Sequence, residues 1–503
     1  MNDTDGGTWM AGLVLLPLCA GLLAFLLRRW APWIGAATAL ANGFCVAGLV
    51  RETLSHGPLR YSVGGWGAPL GIEWRADGLT LWMLVVTALI GFGISVYGAV
   101  YFSTATTKDD EPAQRHQCEY FWPLWLFLWS ALNALFLSAD IFNFYVTLEL
   151  LGFSAACLVA LAGETAALTA ALRYLLVSLL GSLCFLFGVA LLYAAYGTVD
   201  LPTLAKVAKQ SPVSVVALVL MFGGLMMKGA LFPLHFWLPP AHANAPAPVS
   251  AVLSAVVVKG AFYILARLWF EGLHVLATPV LAQSLGTLGA VAILWGSVLA
   301  LRQERLKLLV AYSTVAQIGY LFLLFPLTIN AARGLGGWSG TWIFLGAHAC
   351  AKAAMFLAAG NILRAARHDR IKDLDGITHV LPLSVSAFAL AGMSLIGLPP
   401  SGGFVGKWLL LSAGILQGQW WWVAIIIAGS LAAAGYVFRV LSHAFTRVAS
   451  PEEFTPVPPL LEWTSFAMAL GAVLLGLAAG WPTDWLQLGA PVGGHLVPRG
   501  LQP

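Results

Sequence analysis

Charged residues are scarce in this sequence of 503 residues. Only 10% of the residues are Asp, Glu, Lys or Arg, whereas 59% are hydrophobic. A soluble globular domain carries about 25% charged residues, so this chain has too few charges to cover a water-exposed surface of its size. The scarcity excludes a soluble fold and indicates that lipid surrounds most of the protein.

Motifs for metals, cofactors and catalysis are also missing. The six cysteines have no CxxC or Cys/His ligand spacing, and five of them lie in apolar runs, where a free thiol behaves as a small hydrophobe. We find no dinucleotide-binding glycine loop, haem motif, HExxH or Gly-x-Ser-x-Gly signature. The sequence therefore predicts no metal site, no cofactor and no catalytic centre within the chain itself.

The charge balance and the first residues exclude two further classes. The net charge of +4 is small for this length and argues against nucleic acid as a partner. Residues 1–10 contain Asp3 and Asp5 but no Lys or Arg, whereas a secretory signal peptide needs a positive first region. The first apolar run is therefore predicted to be an uncleaved span.

Long apolar stretches occur throughout the chain. A helix needs about 20 such residues to cross the hydrocarbon core. The stretches predict an all-α polytopic membrane protein with about 14 transmembrane helices. The predicted spans are 9–27, 31–50, 79–102, 121–138, 141–162, 174–196, 213–235, 247–270, 277–300, 308–328, 341–363, 382–412, 419–438 and 461–480.

Two of the predicted spans contain helix-breaking residues. Prolines follow Lys228 in span 7, and Gly397–Gly403 interrupts span 12, so we predict that both helices are broken. Broken helices in the two halves of a membrane protein suggest inverted repeats. We predict an N-terminal segment 1–120, five-helix repeats at 121–270 and 277–445, and a C-terminal segment 446–503.

Basic residues in the loops set the predicted orientation. Fourteen Lys and Arg residues fall in odd-numbered loops and eight in even-numbered loops. The side with more basic residues normally faces the cytoplasm. We therefore expect a multi-pass protein of the cell inner membrane, with both termini on the non-cytoplasmic side.

Ionisable residues at membrane depth are the informative exceptions. They are Glu149, Lys228, Lys259, Lys352 and Lys407, with His348 nearby. A lysine at the centre of a span costs about 2.5–3.5 kcal/mol by insertion scales, so such residues indicate an ion or proton pathway. The alternative, snorkelling of the side chain to the headgroups, suits terminal residues such as Arg173 and Arg267.

A lysine and a carboxylate in neighbouring spans can form a proton gate. Burial favours the neutral lysine, whereas a nearby carboxylate favours the ammonium form. A Glu149–Lys228 pair that closes and opens would therefore hold and release a proton. His348 and Lys352 are four residues apart and share one helical face.

Three further residues are accessory candidates with alternatives left open. Asp140 suits an N-cap at a helix start as well as a functional acid. His235 beside the predicted break is as readily a packed, hydrogen-bonded histidine as a proton carrier. Gln317 could hold water, although packing between helices is the commoner role of such residues.

Four motifs follow one another along the chain: Asp140–Glu149, the Lys228-Gly-Ala-Leu-Phe-Pro-Leu-His segment running on to Lys259, His348–Phe356 and Gly397–Lys407. Together they resemble the antiporter-like subunits of respiratory complex I and Mrp-type sodium/proton antiporters. The resemblance covers residues 75–445. It implies fourteen helices with two inverted five-helix repeats and discontinuous helices 7 and 12.

The resemblance also implies residue roles. Glu149 and Lys228 would form the intake half-channel, Lys259 the connecting residue, His348 and Lys352 the linking axis, and Lys407 the terminal exchange residue. Pro240 stands where the family commonly has an acid, so the resemblance does not extend to a coupling role of that loop. Some relatives carry Glu at the position of Lys407.

The predicted function is proton translocation within a multisubunit membrane complex, most consistent with an Mrp-type cation/proton antiporter. The partners would be other membrane subunits, and the ions would be protons and, as an open question, Na⁺. Alternatives are a subunit of an energy-converting hydrogenase, a complex I-like NADH:quinone oxidoreductase or a proton-coupled inorganic-carbon uptake complex. Any enzymatic activity would then belong to the whole translocase. A stand-alone solute carrier is a weaker alternative, because buried lysines do not suit it.

Overall fold

A computed structural model describes residues 4–69, 71–104, 111–330, 333–446 and 454–492 of the chain. Helices dominate these residues, and their one sheet is a short antiparallel pair. Strand β1 (Leu59–Ser62) pairs with β2 (Glu73–Ala76) between the second and third spans. The end of the predicted C-terminal segment, beyond residue 492, lies outside the described residues.

Twelve of the described helices are long and apolar enough to cross a membrane. Spans 1 to 6 are Thr4–Leu26, Ala31–His56, Gly78–Tyr101, Glu111–Leu137, Ile141–Ala160 and Thr165–Tyr196. Spans 8 to 11 are Ala247–Gly272, Pro279–Arg302, Leu306–Leu327 and Leu335–Ala366. Spans 13 and 14 are Trp420–Ala444 and Pro459–Leu477.

Spans 7 and 12 are each built from two shorter helices, as predicted. Span 7 consists of half 7a (Pro212–Lys228) and half 7b (Leu238–Asn244), and span 12 of half 12a (Pro382–Ile396) and half 12b (Gly402–Leu416). With the twelve continuous helices they complete the predicted fourteen spans. The division into inverted repeats at 121–270 and 277–445 stays a prediction.

The breaks have local causes. Proline lacks the backbone N–H that a helix interior needs, and Pro233 lies between halves 7a and 7b. Half 12a ends at Gly397, whose φ of 90° is the left-handed conformation that glycine adopts most readily. Both interruptions therefore follow from residues visible in the sequence.

Shorter elements connect or modify the spans. The short α-helices Leu201–Val207 and Gly480–Gln487 lie before span 7 and after span 14. Span 8 contains the π-helical turns Leu253–Val257 and Leu268–Gly272. Single 3₁₀ turns occur at Arg28–Trp30, Val63–Gly65, His274–Leu276, Ile371–Asp373 and Ile377–His379.

Spans 8 and 11 lie at the centre of the bundle. Their most apolar stretches are completely buried, whereas those of spans 1 and 14 are only 33% buried. Lys259 on span 8 and Lys352 on span 11 are therefore enclosed by other helices and do not face lipid. This position leaves no room for the snorkelling alternative at these two lysines.

Candidate functional site

Glu149 and Lys228 lie next to each other where span 7 is interrupted. Lys228 is the last residue of half 7a, and its Nζ lies 3.7 Å from Oε1 of Glu149 on span 5. The same ammonium donates hydrogen bonds to Oγ of Ser178 at 2.8 Å and to the carbonyl of Leu148 at 3.3 Å. The Glu149–Lys228 contact is an ion pair that is too long for a hydrogen bond. A small displacement would tighten or open it.

Lys259 lies deeper in the bundle, directly after a π-helical turn of span 8. Its side chain is fully buried, and its Nζ donates to the carbonyl of Ser254 inside that turn. The hydroxyl of Ser254 shares a hydrogen bond of 2.9 Å with Thr314 on span 10. Polar groups therefore continue from Lys259 towards span 10. π-turns occur frequently at functional sites because they redirect side chains in this way.

His348 and Lys352 occupy one face of span 11, as predicted from their spacing. Lys352 is fully buried and donates to the carbonyl of Val310 at 3.0 Å and to the hydroxyl of Ser313. His348 stacks on Phe344 with ring centroids 5.9 Å apart. Neither ring nitrogen of His348 has a hydrogen-bond partner among the described residues. A buried imidazole in this state can accept a proton or hold a water molecule.

Lys407 lies in half 12b, but its ammonium reaches the end of half 12a. Nζ donates to the carbonyls of Leu395 at 2.7 Å and Ile396 at 3.3 Å, and to Oγ of Ser430 at 3.0 Å. It also lies 4.4 Å from the ring centroid of Tyr320. The carboxyl end of a helix carries a partial negative charge that stabilises a cation. A cavity of about 360 Å³ borders this lysine and includes the exposed Trp408.

The accessory candidates have more ordinary surroundings. Asp140 is the N-cap of span 5 and accepts a hydrogen bond of 2.7 Å from the backbone N–H of Asn143. Burial, together with the nearby Asp200, raises the pKa of Asp140 to about 6. Gln317 donates to the hydroxyl of Tyr436 at 3.3 Å. The contact of Gln317 with Tyr436 is thus explained by packing between helices. The contact of Asp140 with Asn143 is explained by helix capping.

His235 lies in the linker between the two halves of span 7. It is buried and stacks on Phe232 at 5.6 Å, and its Nδ1 has no hydrogen-bond partner within the described ranges. Phe232 in turn contacts Trp295 on span 9. The contacts of His235 are therefore aromatic, and none of the described ones joins it to a lysine.

The predicted site residues do not include His242 and Lys307, which are two of the further buried ionisable residues. His242 on half 7b is completely buried and stacks on Phe356, and neither of its ring nitrogens has a hydrogen-bond partner in the described part of the chain. Lys307 falls in a predicted loop, but it is buried in the first turn of span 10 and donates to the carbonyl of Ala245. The sequence feature that could have indicated its burial is its position directly before the apolar run of span 10.

The expectation that Arg267 snorkels to the headgroups is wrong. Arg267 is buried, and its guanidinium donates two hydrogen bonds, of 2.6 and 2.7 Å, to the carboxylate of Asp77. Its partner lies 190 residues away in the sequence. Sequence spacing could not reveal that contact. Within the described ranges, no group of three His, Cys, Asp or Glu residues is placed to hold a metal ion.

Fold and site together define a class. The chain is a polytopic membrane protein with two broken helices and a series of buried ionisable side chains that runs from Glu149 to Lys407. Intramembrane charges of this kind mark ion and proton pathways. A family described as NADH:quinone oxidoreductase/Mrp antiporter, transmembrane, matches residues 138–432. The chain belongs to this family.

Individual relatives agree with this assignment. The chain is 35% identical to the N-type subunit of NADH-quinone oxidoreductase of Desulforudis audaxviator, over 92% of this chain and 95% of that protein. It is 27% identical to the D-type subunit of the Na⁺/H⁺ antiporter of Bacillus subtilis, over 95% of each chain. A chain in the structure of the Mrp complex from Dietzia sp. DQ12-45-1b has the same fold, with a TM-score of 0.86 at 22% identity, covering 97% of this chain and 98% of that chain.

Proposed function

We propose that this chain is the proton-translocating subunit of a multisubunit membrane complex of the Mrp cation/proton antiporter type. The observation that carries the proposal is the Glu149–Lys228 pair at the break of span 7. It is followed by three further buried lysines on spans 8, 11 and 12. Protons would enter at the pair, pass along these lysines and leave at Lys407.

The pair acts as the gate. The Glu149 side chain is 18% exposed, whereas that of Lys228 is only 6% exposed, so the carboxylate is the more accessible of the two. Opposite charges about 4 Å apart interact by about 4 kcal/mol at an effective dielectric constant of 20. Closing the pair therefore holds a proton on Lys228. When the distance between Lys228 and Glu149 becomes large enough for water to lie between them, Lys228 releases its proton more readily towards Lys259.

The central residues pass the charge on by repulsion. Lys259 and Lys352 are both fully buried, and their ammonium groups bond only to carbonyl and hydroxyl oxygens among the described residues. Since like charges repel strongly in a low-dielectric interior, a proton arriving on one lysine favours departure from the next. His348 and Gln317 lie beside this path and would hold water between the lysines.

Lys407 is the exchange residue. Its ammonium is held by the end of half 12a and borders the cavity of about 360 Å³. Other membrane subunits would cover the surrounding surface, and one of them would exchange Na⁺ or another ion for the proton. The excess of basic residues in the odd-numbered loops supports an orientation in which both termini face the non-cytoplasmic side of the cell inner membrane.

A complex I-like role is the second candidate. It is favoured by the 35% identity to the NADH-quinone oxidoreductase relative, which exceeds the 27% identity to the Na⁺/H⁺ antiporter relative. The two roles use the same proton path and differ in the source of energy. An antiporter responds to a Na⁺ gradient, whereas a complex I-like protein responds only to the redox reaction of its partners.

The test follows proton movement in everted vesicles that contain the chain and its genomic partner subunits. We expect dye quenching to be lost in Lys228→Ala and to fall strongly in Glu149→Ala, while the matched control Lys206→Ala, on the short helix Leu201–Val207, keeps it. Assembly is checked by purifying the complex. Unchanged quenching in both variants would overturn the relay. Addition of Na⁺ or of a redox substrate then distinguishes the two roles.

A further inference from the structure

Span 8 carries a row of polar side chains that leads away from the proposed proton relay, which is the series Glu149, Lys228, Lys259, Lys352 and Lys407. Lys259, Tyr263, Arg267 and Glu271 are spaced four residues apart and therefore follow one face of the helix. The row begins at the central lysine and ends beside strand β2, at the end of the bundle that holds the small sheet. Without a barrier, such a row would let protons escape from the relay on that side.

Solvent reaches the outer end of this row. A cavity of about 410 Å³ is lined by Arg60, Arg75, Asp77, Glu271 and residues near the described C-terminus. Arg75 and Glu271 have side chains that are 17% and 16% exposed. The charged groups at the inner end of this cavity thus separate it from the inner part of span 8.

Four of these groups form a closed ring, which we call the charge ring: Arg75, Asp77, Arg267 and Glu271. Arg267 donates to both oxygens of Asp77 at 2.6 and 2.7 Å and to Oε1 of Glu271 at 2.5 Å. Arg75 donates to Oδ2 of Asp77 at 2.6 Å and to Oε1 of Glu271 at 2.8 Å. Each carboxylate meets two guanidiniums, and the formal charges cancel.

Asp77 and the two arginines of the charge ring are not ready to carry a proton. Burial alone would raise the pKa of Asp77, but Arg267 and Arg75 outweigh it and hold the pKa well below its usual range. A guanidinium does not release its proton in proteins. A fixed arginine also repels an approaching proton, as in channels that exclude cations.

Tyr263, the next polar residue on the inner side of the ring, also has its hydroxyl group engaged in hydrogen bonds. The hydroxyl of Tyr263 donates to the carbonyl of Phe136 at 2.7 Å and lies 3.2 Å from the hydroxyl of Thr80. The guanidinium of Arg267 lies 4.9 Å from the Tyr263 ring centroid. Polar groups thus extend inwards from the ring, but their hydrogen bonds are made to fixed protein atoms.

We propose that the charge ring is a proton barrier that seals the relay at the β-sheet end of span 8. This inference rests on the proposed function, because it presupposes protons on Lys259. Although the ring as a whole is neutral, the guanidinium of Arg267 lies beside Tyr263 and therefore repels protons that arrive from Lys259. The Asp77 carboxylate, which is paired with both Arg267 and Arg75, is a poor proton acceptor. Protons on the relay are thereby restricted to the path through spans 11 and 12.

The sign of the charge gives a matched test. Arg267→Met and Asp77→Asn break the same bidentate pair, but the first leaves the ring with a net charge of −1 and the second with +1. We expect passive proton influx to rise several-fold in Arg267→Met and to remain at the wild-type level in Asp77→Asn. The whole complex is reconstituted in vesicles that contain pyranine, and a potassium diffusion potential drives the influx.

A second substitution identifies the route of the leak. Adding Lys259→Ala to Arg267→Met should return the influx to the wild-type level, because the leaking protons come through the relay. Arg60→Met, at the rim of the same cavity, should leave it unchanged. If Arg267→Met does not assemble, Arg75→Met carries the same prediction with a smaller increase.

Three outcomes would overturn the barrier. They are an unchanged influx in an assembled Arg267→Met complex, an equal leak in Asp77→Asn, and a leak that persists when Lys259 is replaced. The second and third would indicate general loosening of the helix packing. Failure of the proposed function would be seen separately, as normal active transport in Lys228→Ala.

Discussion

The two broken helices each place a lysine at their interruption, but they stabilise its ammonium group differently. In span 7, the carboxylate of Glu149 lies 3.7 Å from Nζ of Lys228. In span 12, the described partners of Lys407 are uncharged: the carbonyls of Leu395 and Ile396 and the hydroxyl of Ser430. A carboxylate can itself take up a proton or move away, whereas backbone carbonyls can do neither. Under the proposed function, the pair at the break of span 7 would act as a switch and Lys407 in span 12 as a fixed exchange site.

A common device underlies both sites. Lys228 is the last residue of half 7a, and the ammonium of Lys407 meets the last carbonyls of half 12a. Each charge therefore lies at the carboxyl end of a half-helix, where the helix dipole favours a cation. The difference between the sites comes from what is added to the dipole: the carboxylate of Glu149 on span 5 lies beside Lys228, whereas no carboxylate is among the described partners of Lys407.

The largest effect is expected at the site without a carboxylate. Lys407→Ala should reduce transport to the background level, because no neighbour among the described contacts can replace the lysine as a proton carrier. Lys407→Arg should fail as well, since a guanidinium keeps its charge but does not release a proton. Dye quenching in everted vesicles measures both, with the exposed Lys372→Ala as the control. Normal transport in Lys407→Arg would show that proton release at this position is not required.

A smaller loss is expected when the switch is disabled but its lysine remains. Glu149→Gln keeps the shape of the side chain and removes its charge, while Ser178 and the carbonyl of Leu148 still accept hydrogen bonds from Lys228. Transport should fall by about tenfold, which corresponds to a rise of ~1.4 kcal/mol in the transport barrier and thus to part of the pair's charge interaction. Initial rates of quenching give the size of the loss, and Glu149→Asp should be intermediate. A full loss equal to that of Lys407→Ala would mean that the carboxylate is itself an obligatory proton carrier.

These two sites are predictable from the sequence because their signals are local. A charge inside an apolar run and a proline or glycine that breaks the run are visible within about one helix length. Arg267 and Lys307 are harder to place because each lies near the end of an apolar run, where exposure and burial look alike. Their partners, Asp77 and the carbonyl of Ala245, are 190 and 62 residues away. Long-range contacts of this kind follow only from the packing of the helices.

Glycine at the break of span 12 provides a third comparison. Gly397 has a φ of 90°, and a Cβ at this position would lie 2.9 Å from Cδ of Lys407. Gly397→Ala should therefore displace the lysine and lower transport several-fold, with a backbone cost of about 1–2 kcal/mol. Gly223, within half 7a, has no positive φ and open space where a Cβ would lie, so Gly223→Ala is the matched control. Equal effects of the two substitutions on quenching would show that the break of span 12 does not depend on this backbone conformation.

The smallest effect on transport is expected at Asp140, the N-cap of the span 5 helix that carries Glu149. Burial and Asp200 raise the pKa of Asp140 from 3.8 to about 6. Between these two pH values, the folded protein keeps a proton that the unfolded chain has lost, so the contribution of Asp140 to stability falls as the pH rises. Asparagine still caps the helix and does not titrate. We therefore expect Asp140→Asn to flatten the dependence of thermal stability on pH and to stabilise the complex by about 1–3 kcal/mol above pH 6.

Thermal unfolding of the complex in nanodiscs between pH 4 and 7.5 measures this slope, and the exposed Glu164→Gln should leave it unchanged. Transport by Asp140→Asn should remain near the wild-type level, because the N-cap hydrogen bond to Asn143 is retained. The opposite result, lost transport with an unaltered stability profile, would assign Asp140 to the proton path. The site at the break of span 7 would then use two carboxylates of span 5, Asp140 and Glu149, whereas the described partners of Lys407 in span 12 include none.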